Sequence, residues 1–325
     1  MFLNEMAKRY GLEAAALIQI SDGYQNSVYS FSRSGGEYIL RLSSGSRWSF
    51  LERQSEMKFI HALGNEGVQV SRPIPSTNRK LIEELLFQNR HVFATTFEKA
   101  PGKPVEVTDE QVWNADFFYQ WGMLIGKMHS ASTQLTEKFD RPIWSKDQPD
   151  LFNLIPKITS DQVRERYIQH LSKLKDFHQD HEIFGLIHND FHQGNFFESG
   201  GRITVFDFDD CAYHWFAYDL AVSFYHAFWQ TSAFTPENNQ FSTIFWDHFL
   251  KGYAREHIIK KEMLQQIPIF LKIREIFLYV LFSEKWDLQN LEDWQVFTLK
   301  DLQDKIEQNI PYSAVNFQEV IDKHI

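Results

Sequence analysis

Apolar and polar residues alternate over much of the first hundred residues, which is the pattern of half-buried β-strands. The alternation predicts strands at ALIQI, SVYSFS, EYILRL, KLIEELLF and HVFATTF. The turn RSGGE predicts a hairpin between the second and third of these segments. One helix is expected in this region, from Phe50 to Leu63, because Met57, Ile60 and Leu63 recur at helical spacing.

The segment EKAPGKP, from Glu98 to Pro104, separates two regions of different pattern, and its two prolines and one glycine favour a break in regular structure. Beyond it, FFYQWGMLIGKMHSAS and DQVRERYIQHLSKLKDF have helical periodicity, as does the chain from Trp215 onward. Short strands are expected only at GLIH, NFFES and RITVFDF. We therefore predict an α+β protein with a strand-rich domain over 1–99 and a mostly helical domain over 100–325.

Charge is distributed unevenly along the chain. Residues 1–100 contain 12 Lys and Arg against 10 Asp and Glu, which leaves −12 for the remainder of a chain whose net charge is −10. An acidic second region argues against a nucleic-acid partner and is compatible with a cationic small substrate. Because the densest apolar run, IFLYVLF, is far too short to span a bilayer, we also expect no membrane partner.

The single cysteine, Cys211, excludes an intramolecular disulfide and a Cys-based zinc site. This usage suits a reducing cytosol, and the N-terminal residues lack the apolar core of a signal peptide. The sequence therefore predicts a cytoplasmic protein, which we expect to be a monomer or a homodimer.

Three carboxylates follow the apolar strand RITVF, at Asp207, Asp209 and Asp210. Such carboxylates repel one another unless a cation or hydrogen-bond donors compensate, and Mg²⁺ is a natural compensating ion because it prefers oxygen ligands. The strand NFFES is separated from RITVF only by two glycines, so the two can form a hairpin. Asn195 at the start of one strand and Asp207 at the end of the other would then be neighbours and could bind Mg²⁺ together.

One short loop earlier, HNDFHQGN places Asp190 near the same point without needing it as a metal ligand. Such a carboxylate can orient a hydroxyl nucleophile or accept its proton. These parts suit phosphoryl transfer, in which catalysis is mostly positioning and charge neutralisation.

HNDFHQGN followed by FDFDD resembles the aminoglycoside phosphotransferase/choline kinase family, the small-molecule branch of the protein-kinase-like fold. The shared pattern is H-x-D-x-x-x-x-N followed by a strand that ends in Asp. The resemblance implies a two-lobed fold with a small antiparallel-sheet N-lobe containing one helix and a large helical C-lobe. It also implies that Asp190 is catalytic, that Asn195 and Asp207 bind Mg²⁺, and that His188 and Asp219 support the loop structurally.

The same resemblance assigns nucleotide-binding residues in the first domain. SDGYQNSVYSF corresponds to the hairpin that covers the phosphates, and EYILRL supplies the arginine that would hold the α- and β-phosphates. Glu56 is the expected ion-pair partner of that arginine, with Glu52 as the competitor one turn earlier, and TFEKAPG would border the adenine pocket. The nucleotide-binding residues implied are Gly23, Asn26, Ser27, Arg41, Glu56, Phe97 and Glu98.

The function that follows is an ATP- or GTP-dependent kinase acting on a hydroxyl of a small molecule. Acidic residues near the site favour an amine-bearing acceptor such as an aminoglycoside, choline, ethanolamine or homoserine. Four residues are candidates for acceptor contacts: Asp209, His192, Tyr213 and Trp215. For Tyr213 and Trp215, packing in the core is the competing interpretation, and Asp209 could serve metal, substrate or local structure.

Three alternatives remain open at this stage. The first is a Ser/Thr protein kinase-like enzyme, although no long activation segment follows FDFDD. The second is a nucleotide-binding pseudokinase, kept open by the single glycine of the hairpin and by arginine in place of lysine. The third is a zinc hydrolase built on His188, Asp190 and His192, which would leave Asn195 without a role.

Overall fold

The computed structural model describes residues 2–22 and 26–325, except for the side chains of residues 2, 21 and 22. Contacts within the chain define two units. The first comprises Met1–Lys103, Leu135–Arg141 and Phe196–Asp209, and the second comprises Pro104–Gln134, Pro142–Asn195 and Asp210–Ile325. The first unit is rich in strands and the second is mainly helical, in agreement with the predicted α+β class.

The elements of the first unit's sheet region are α1 (Phe2–Arg9), β1 (Ile18–Asp22), β2 (Asn26–Arg33), β3 (Gly36–Ser44), α2 (Phe50–Asn65), β4 (Pro73–Ile74), β5 (Ile82–Phe87) and β6 (Arg90–Glu98). The six strands form one antiparallel sheet with the order β1-β2-β3-β6-β4, and β5 also pairs with β6. The five predicted strands and the predicted helix are therefore confirmed. Helix α2 begins at a capping box in which Ser49 and Glu52 bond each other's backbone N–H groups.

The predictions missed α1, which packs on one face of this sheet. Met6 and Tyr10 are fully buried there beside Leu40 and Ala94, and the Tyr10 hydroxyl donates to the Ala94 carbonyl at 2.9 Å. Eight residues give only two helical turns, too short a stretch for periodicity to identify.

The second unit is built mainly from helices. Its elements are α3 (Ala115–Thr133), α4 (Asp161–Leu174), β7 (Phe184–Ile187), β10 (Ala212–Trp215), α5 (Phe216–Phe234), α6 (Phe241–Tyr253), α7 (Lys261–Lys285), α8 (Asp293–Glu307) and α9 (Phe317–His324). Among the described residues, no helix is long and apolar enough to cross a membrane.

Two short antiparallel strand pairs flank the segment that contains the candidate residues. Strands β8 (Phe196–Ser199) and β9 (Arg202–Val205) form the predicted hairpin across two glycines that both have positive φ. Strand β7 pairs with β10, which the sequence pattern did not predict. The prediction failed because the segment AYHW runs directly into α5 without a turn signal between them.

Candidate active site

The loop between β7 and β8 is held by Asp219, a fully buried residue in the first turn of α5. The Asp219 carboxylate accepts the backbone N–H groups of His188 at 3.1 Å and Asn189 at 2.7 Å. Burial raises the pKa of Asp219 to about 6 against the lowering effect of these donors. Nδ1 of His188 in turn accepts the backbone N–H of Asp190 at 3.3 Å, so both predicted support residues contact the loop that presents Asp190.

Both oxygens of the Asp190 carboxylate have a partner within the second unit. Nη2 of Arg274, on α7, donates to Oδ1 at 2.5 Å, and Nδ2 of Asn195 donates to Oδ2 at 3.0 Å. Burial would raise the pKa of Asp190, but Arg274, with His192 and His226, outweighs burial and holds this pKa well below its usual range. Asp190 is therefore an ionised carboxylate that can accept a hydrogen bond from a hydroxyl.

The imidazoles of His192 and His226 stack with their centroids 4.1 Å apart beside Asp190. One ligand atom each from Asp190, His192 and His226 lies within 4.8 Å of the others, which is the spacing of a metal site. However, the guanidinium of Arg274 donates to both Asp190 and His226 and so supplies the positive charge there. His188, which the zinc hypothesis required, instead accepts a backbone N–H.

The first unit holds a separate charged cluster centred on Arg41 of β3. Nη2 of Arg41 lies 2.7 Å from Oε2 of Glu56 on α2, so the expected ion pair is present and the competitor Glu52 forms the helix cap instead. Nη1 of Arg41 lies 3.6 Å from Asp207 and 3.9 Å from Asp209. Burial by itself lowers the pKa of Arg41. Glu56, Asp209 and Asp207 raise this pKa by more than burial lowers it, so the net pKa lies above its ordinary value and the side chain stays cationic.

Asp209 is buried and surrounded by arginines. Besides Arg41, Arg47 lies 3.3 Å from Oδ2, and Arg141 donates to the backbone carbonyl at 2.5 Å. Burial raises the pKa of Asp209, but these arginines and Arg53 outweigh it and lower the pKa. The carboxylate thus compensates a cationic cluster, which makes it poorly suited to attract the ammonium group of an acceptor.

Asp207 lies two residues beyond the end of β9 rather than at the strand end that the pattern predicted. Its backbone has a φ of 62°, in the left-handed region that Asp tolerates better than most residues. Its side chain is 48% exposed, whereas that of Asp209 is 8% exposed. Of these two carboxylates, Asp207 is therefore the one accessible to a ligand.

Of the remaining predicted nucleotide-binding residues, those that the structure describes lie on the same sheet. Asn26 and Ser27 begin β2 and pair with Ser43 and Leu42 of β3, whereas Gly23 lies outside the described residues. The Phe97 ring lies 5.1 Å from the Arg41 guanidinium carbon and so packs on this side chain. The backbone N–H of Glu98 already donates to the Arg72 carbonyl at 2.9 Å.

Trp215 packs in the core, as the alternative to an acceptor contact proposed for this side chain. It is fully buried, its centroid lies 4.2 Å from that of Trp144, and its indole N–H donates to the His178 carbonyl at 2.6 Å. Tyr213 is half-buried on β10, and its backbone N–H donates to the Pro142 carbonyl. Trp215 therefore cannot contact an acceptor without rearrangement of the core.

A different set of rings extends from His226 toward the surface. We call the rings of Trp229, Phe282, Trp286 and Trp294, in this order, the aromatic row. Trp229 follows His226 with centroids 6.3 Å apart, and the later steps of the row measure 5.9, 4.5 and 5.2 Å. Trp229 is 37% exposed and Trp294 is 56% exposed.

Neither Arg274 nor His226 was predicted from the sequence. A signal for Arg274 was present, because the run IFLKIREIFLYVLF contains an arginine in an otherwise largely apolar helix. A buried charge in such a helix requires a partner, which here is Asp190. His226 carries no comparable signal, since the residues adjacent to it in the sequence of α5 are aromatic or small and none of them is charged.

A buried arginine paired with a helix glutamate, and an ionised loop aspartate held by asparagine, are parts of a kinase-type phosphotransferase. The chain belongs to the phosphotransferase enzyme family, whose model matches residues 16–258. It is therefore a small-molecule phosphotransferase.

Individual relatives agree with this class. The chain is 30% identical to amicoumacin kinase of Bacillus subtilis (strain 168), over 98% of this chain and 95% of the relative. It is 24% identical to homoserine kinase of Neisseria meningitidis serogroup B, over 65% of this chain and 66% of the relative. A solved structure of the amicoumacin kinase hAmiN with AMP-PNP, Ca²⁺ and Ami superposes with a TM-score of 0.91 at 30% identity, covering 98% of this chain and 96% of that one.

Proposed function

We propose that this protein transfers the γ-phosphate of ATP or GTP to a hydroxyl group of a small, amine-bearing molecule. The observation that carries the proposal is the Asp190 carboxylate, which is ionised and fixed between Asn195 and Arg274. The enzyme class comes from the family, and the assignment of Asp190 as the catalytic residue comes from its motif and this environment.

In the proposed reaction the acceptor hydroxyl oxygen forms a bond to the γ-phosphorus. The bond between that phosphorus and the β–γ bridging oxygen breaks, and the nucleoside diphosphate leaves. Asp190 orients the hydroxyl and takes its proton. Because the pKa of Asp190 is low, it is a weak base, and we expect orientation to be its larger contribution, as suits a loose transition state.

Asn195 and Asp207 fit a hard divalent cation by the chemistry of their donors. The amide nitrogen of Asn195 donates to Asp190, which leaves the amide oxygen as the ligand atom, and Asp207 offers an accessible carboxylate. Asn195 immediately precedes β8 and Asp207 follows β9, the two strands of one hairpin. We propose Mg²⁺ as the ion; when bound, it neutralises charge on the β- and γ-phosphate oxygens.

For the nucleotide, we propose that Arg41 contacts the phosphates while Glu56 holds it in place. Arg41 Nε is buried without a hydrogen-bond partner among the described residues, so the guanidinium has a donor that Glu56 does not use. Asn26 and Ser27, at the start of β2, would contact the phosphates, and Gly23 is proposed with them from its place in the sequence alone. Phe97 and Glu98 would border the base, although Glu98 would do so without its backbone N–H.

For the acceptor, we propose that the aromatic row forms one wall of the binding site. The exposed indoles of Trp229 and Trp294 can contact both apolar groups and an ammonium group. The acidic residues Asp287, Glu292 and Asp293 adjoin the outer end of the row and favour a cation there. This arrangement moves the expected amine contact from Asp209 to the aromatic row.

A small acceptor is also consistent with the segment that follows Asp210. Residues 210–234 pass directly into β10 and then α5, so they contain no long segment to seat a peptide. Without such a segment a peptide substrate would have no seat there, which argues against the protein kinase-like alternative. The family and the presence of Asp190, Asn195 and Asp207 argue against a pseudokinase.

The test is release of ADP and GDP by the purified protein with Mg²⁺ over a panel of acceptors: aminoglycosides, choline, ethanolamine, homoserine and sugar alcohols. We expect release with at least one amine-bearing acceptor, and its loss in Asp190→Asn and in Asp207→Asn. Asp322→Asn, which changes an exposed carboxylate on α9, is the control and should retain full activity.

Two results would contradict the proposal. Release that persists in Asp190→Asn would assign the acceptor hydroxyl to another carboxylate. Thermal stabilisation by Mg²⁺-nucleotide without release on any acceptor would show that the acceptor class is wrong.

A further inference from the structure

Arg274 is a buried cation on α7, and it lies outside the H-x-D-x-x-x-x-N motif and the Asp that follows it. It is 4% exposed and bonds Asp190 across 84 residues of sequence. A buried arginine loses hydration that only well-placed partners restore, so its partners indicate its use.

The contact with Asp190 restricts the direction from which a hydroxyl can approach. Arg274 bonds Oδ1 at 2.5 Å and Asn195 bonds Oδ2 at 3.0 Å, so the carboxylate is held at both oxygens and cannot rotate freely. Each carboxylate oxygen accepts about two hydrogen bonds, so capacity for a hydroxyl remains. The two fixed donors therefore select the orientation in which that capacity faces a substrate.

His226 of α5 orients the arginine. Its Nε2 lies 2.7 Å from Nη2 and 3.2 Å from Nε of Arg274, so the fork of the guanidinium faces one ring nitrogen. An imidazole nitrogen can accept these donors only when the ring is neutral with its proton on Nδ1. Burial, His192 and Arg274 all lower the pKa of His226, in agreement with the neutral form.

We propose that Arg274 is a positioning residue for Asp190, aligned by neutral His226, and that this pair sets the geometry of attack by the acceptor hydroxyl. The proposal rests on the proposed function of Asp190. It assigns to the buried cation the task of fixing the carboxylate, rather than of contacting substrate.

The test compares kcat and acceptor KM, with an acceptor identified in the panel above, for Arg274→Met and for Lys272→Met. Lys272 is a matched control because it is also a buried cation on α7, is paired with Glu275, and donates to the Ile310 carbonyl at 2.8 Å away from Asp190. We expect Arg274→Met to lower kcat about 100-fold with acceptor KM changed by less than about threefold, because misplacement of a reacting group by about 1 Å has effects of that size. Lys272→Met should lower the denaturation midpoint while leaving kcat unchanged.

Rescue separates positioning from a general structural defect. Added methylguanidinium should raise the kcat of Arg274→Ala at least about tenfold, because a guanidinium can again donate to both Asp190 and His226. It should not raise the kcat of Lys272→Ala. His226→Gln, which keeps an acceptor atom, should retain more activity than His226→Ala. If a methionine variant does not fold, Arg274→Lys and Lys272→Arg replace the pair, with the kcat loss again expected only at Arg274.

Unchanged kcat in Arg274→Met, or an equal kcat loss in Lys272→Met, would overturn the role of Arg274 while leaving the proposed function intact. Inactivity of the wild-type protein on every acceptor is a different result, which would overturn the proposed function and this role with it.

Discussion

At the scale of single residues, Arg41 and Asp190 are charged side chains that are stabilised by different sets of partners. Arg41 is buried and the Asp190 side chain is 25% exposed, and each charged group is stabilised by a partner of opposite charge. Arg41 is surrounded by carboxylates and retains unsatisfied donor capacity at Nε. Asp190 has its oxygens bonded by donors from α7 and from its own loop. In both cases the partner fixes the direction in which the functional group points.

For Arg41 we predict that Arg41→Met weakens nucleotide binding by at least about tenfold, since charge-assisted hydrogen bonds to phosphate contribute about 1.5–3 kcal/mol. It should also lower the free energy of unfolding by about 3 kcal/mol, because Glu56 would remain buried without its cation. Titration calorimetry with a non-hydrolysable ATP analogue and Mg²⁺ measures the first effect, and urea denaturation measures the second.

The control is Arg47→Met. Arg47 pairs with the same Asp209 but has a side chain that is 36% exposed, so its removal should change nucleotide affinity by less than about threefold. Equal losses in the two variants would mean that the cluster binds nucleotide through its overall charge rather than through Arg41.

At the scale of elements, helices α3 and α6 pack with their backbones in close contact at glycines. A Cβ atom on Gly122 would lie 1.9 Å from the Phe249 carbonyl oxygen, and one on Gly252 would lie 2.0 Å from the Tyr119 carbonyl oxygen. Neither position can hold a side chain without separation of the two helices. The crossing lies in the same unit as the loop that carries Asp190.

We predict that Gly122→Ala lowers the free energy of unfolding by about 2 kcal/mol or more, although Ala is intrinsically better in a helix by about 1 kcal/mol. Gly126→Ala, with 2.7 Å to the Tyr253 carbonyl oxygen, should show a smaller loss. Gly64→Ala in α2 is the control, because its nearest atom, at 3.1 Å, belongs to the flexible Arg72 side chain. Denaturant titration that ranks Gly64→Ala as the most destabilising would refute this account.

The aromatic row is also a feature of elements, since it joins α5, the end of α7 and the start of α8. We predict that Trp229→Ala and Trp286→Ala each raise the KM for an amine-bearing acceptor by about three- to tenfold with little change in kcat, as expected for loss of a ring contact. Phe234→Ala, which removes a 67% exposed ring elsewhere on α5, should change neither parameter. A fall in kcat at constant KM would place the row outside the acceptor site.

At the scale of the whole molecule, the excess negative charge lies beyond residue 100, in a chain whose net charge is −10. Such a field attracts a cationic acceptor and is screened by salt over about 8–10 Å at physiological ionic strength. It has no comparable effect on a neutral molecule. Charge therefore offers a test of the acceptor class that does not require any substitution.

We predict that raising NaCl from about 50 to about 300 mM increases the KM of an amine-bearing acceptor by about two- to fivefold. The KM of a neutral acceptor, such as a sugar alcohol, should stay constant if it is a substrate, and this neutral acceptor serves as the internal reference. Steady-state kinetics at both salt concentrations give the comparison. A salt-independent KM for the amine would exclude long-range attraction as a source of acceptor selectivity.

The sequence by itself determined the features that depend on local spacing. Alternation and helical periodicity predicted the strands of the sheet and helix α2, and two glycines between NFFES and RITVF predicted the β8–β9 hairpin. The spacing of HNDFHQGN and FDFDD was sufficient to recognise the family. Such features are predictable because backbone dihedral angles and side-chain periodicity involve residues close together in the chain.

The tertiary structure alone decided which distant side chains meet. It brought Arg274 and His226 to Asp190, surrounded Asp209 with arginines, and buried Trp215 in the core. Helical periodicity shows which face of a helix is buried but not which loop that face contacts. For this reason the motif could predict Asp190 as the catalytic carboxylate that we propose, whereas the packing of α5 and α7 determined how that carboxylate is held.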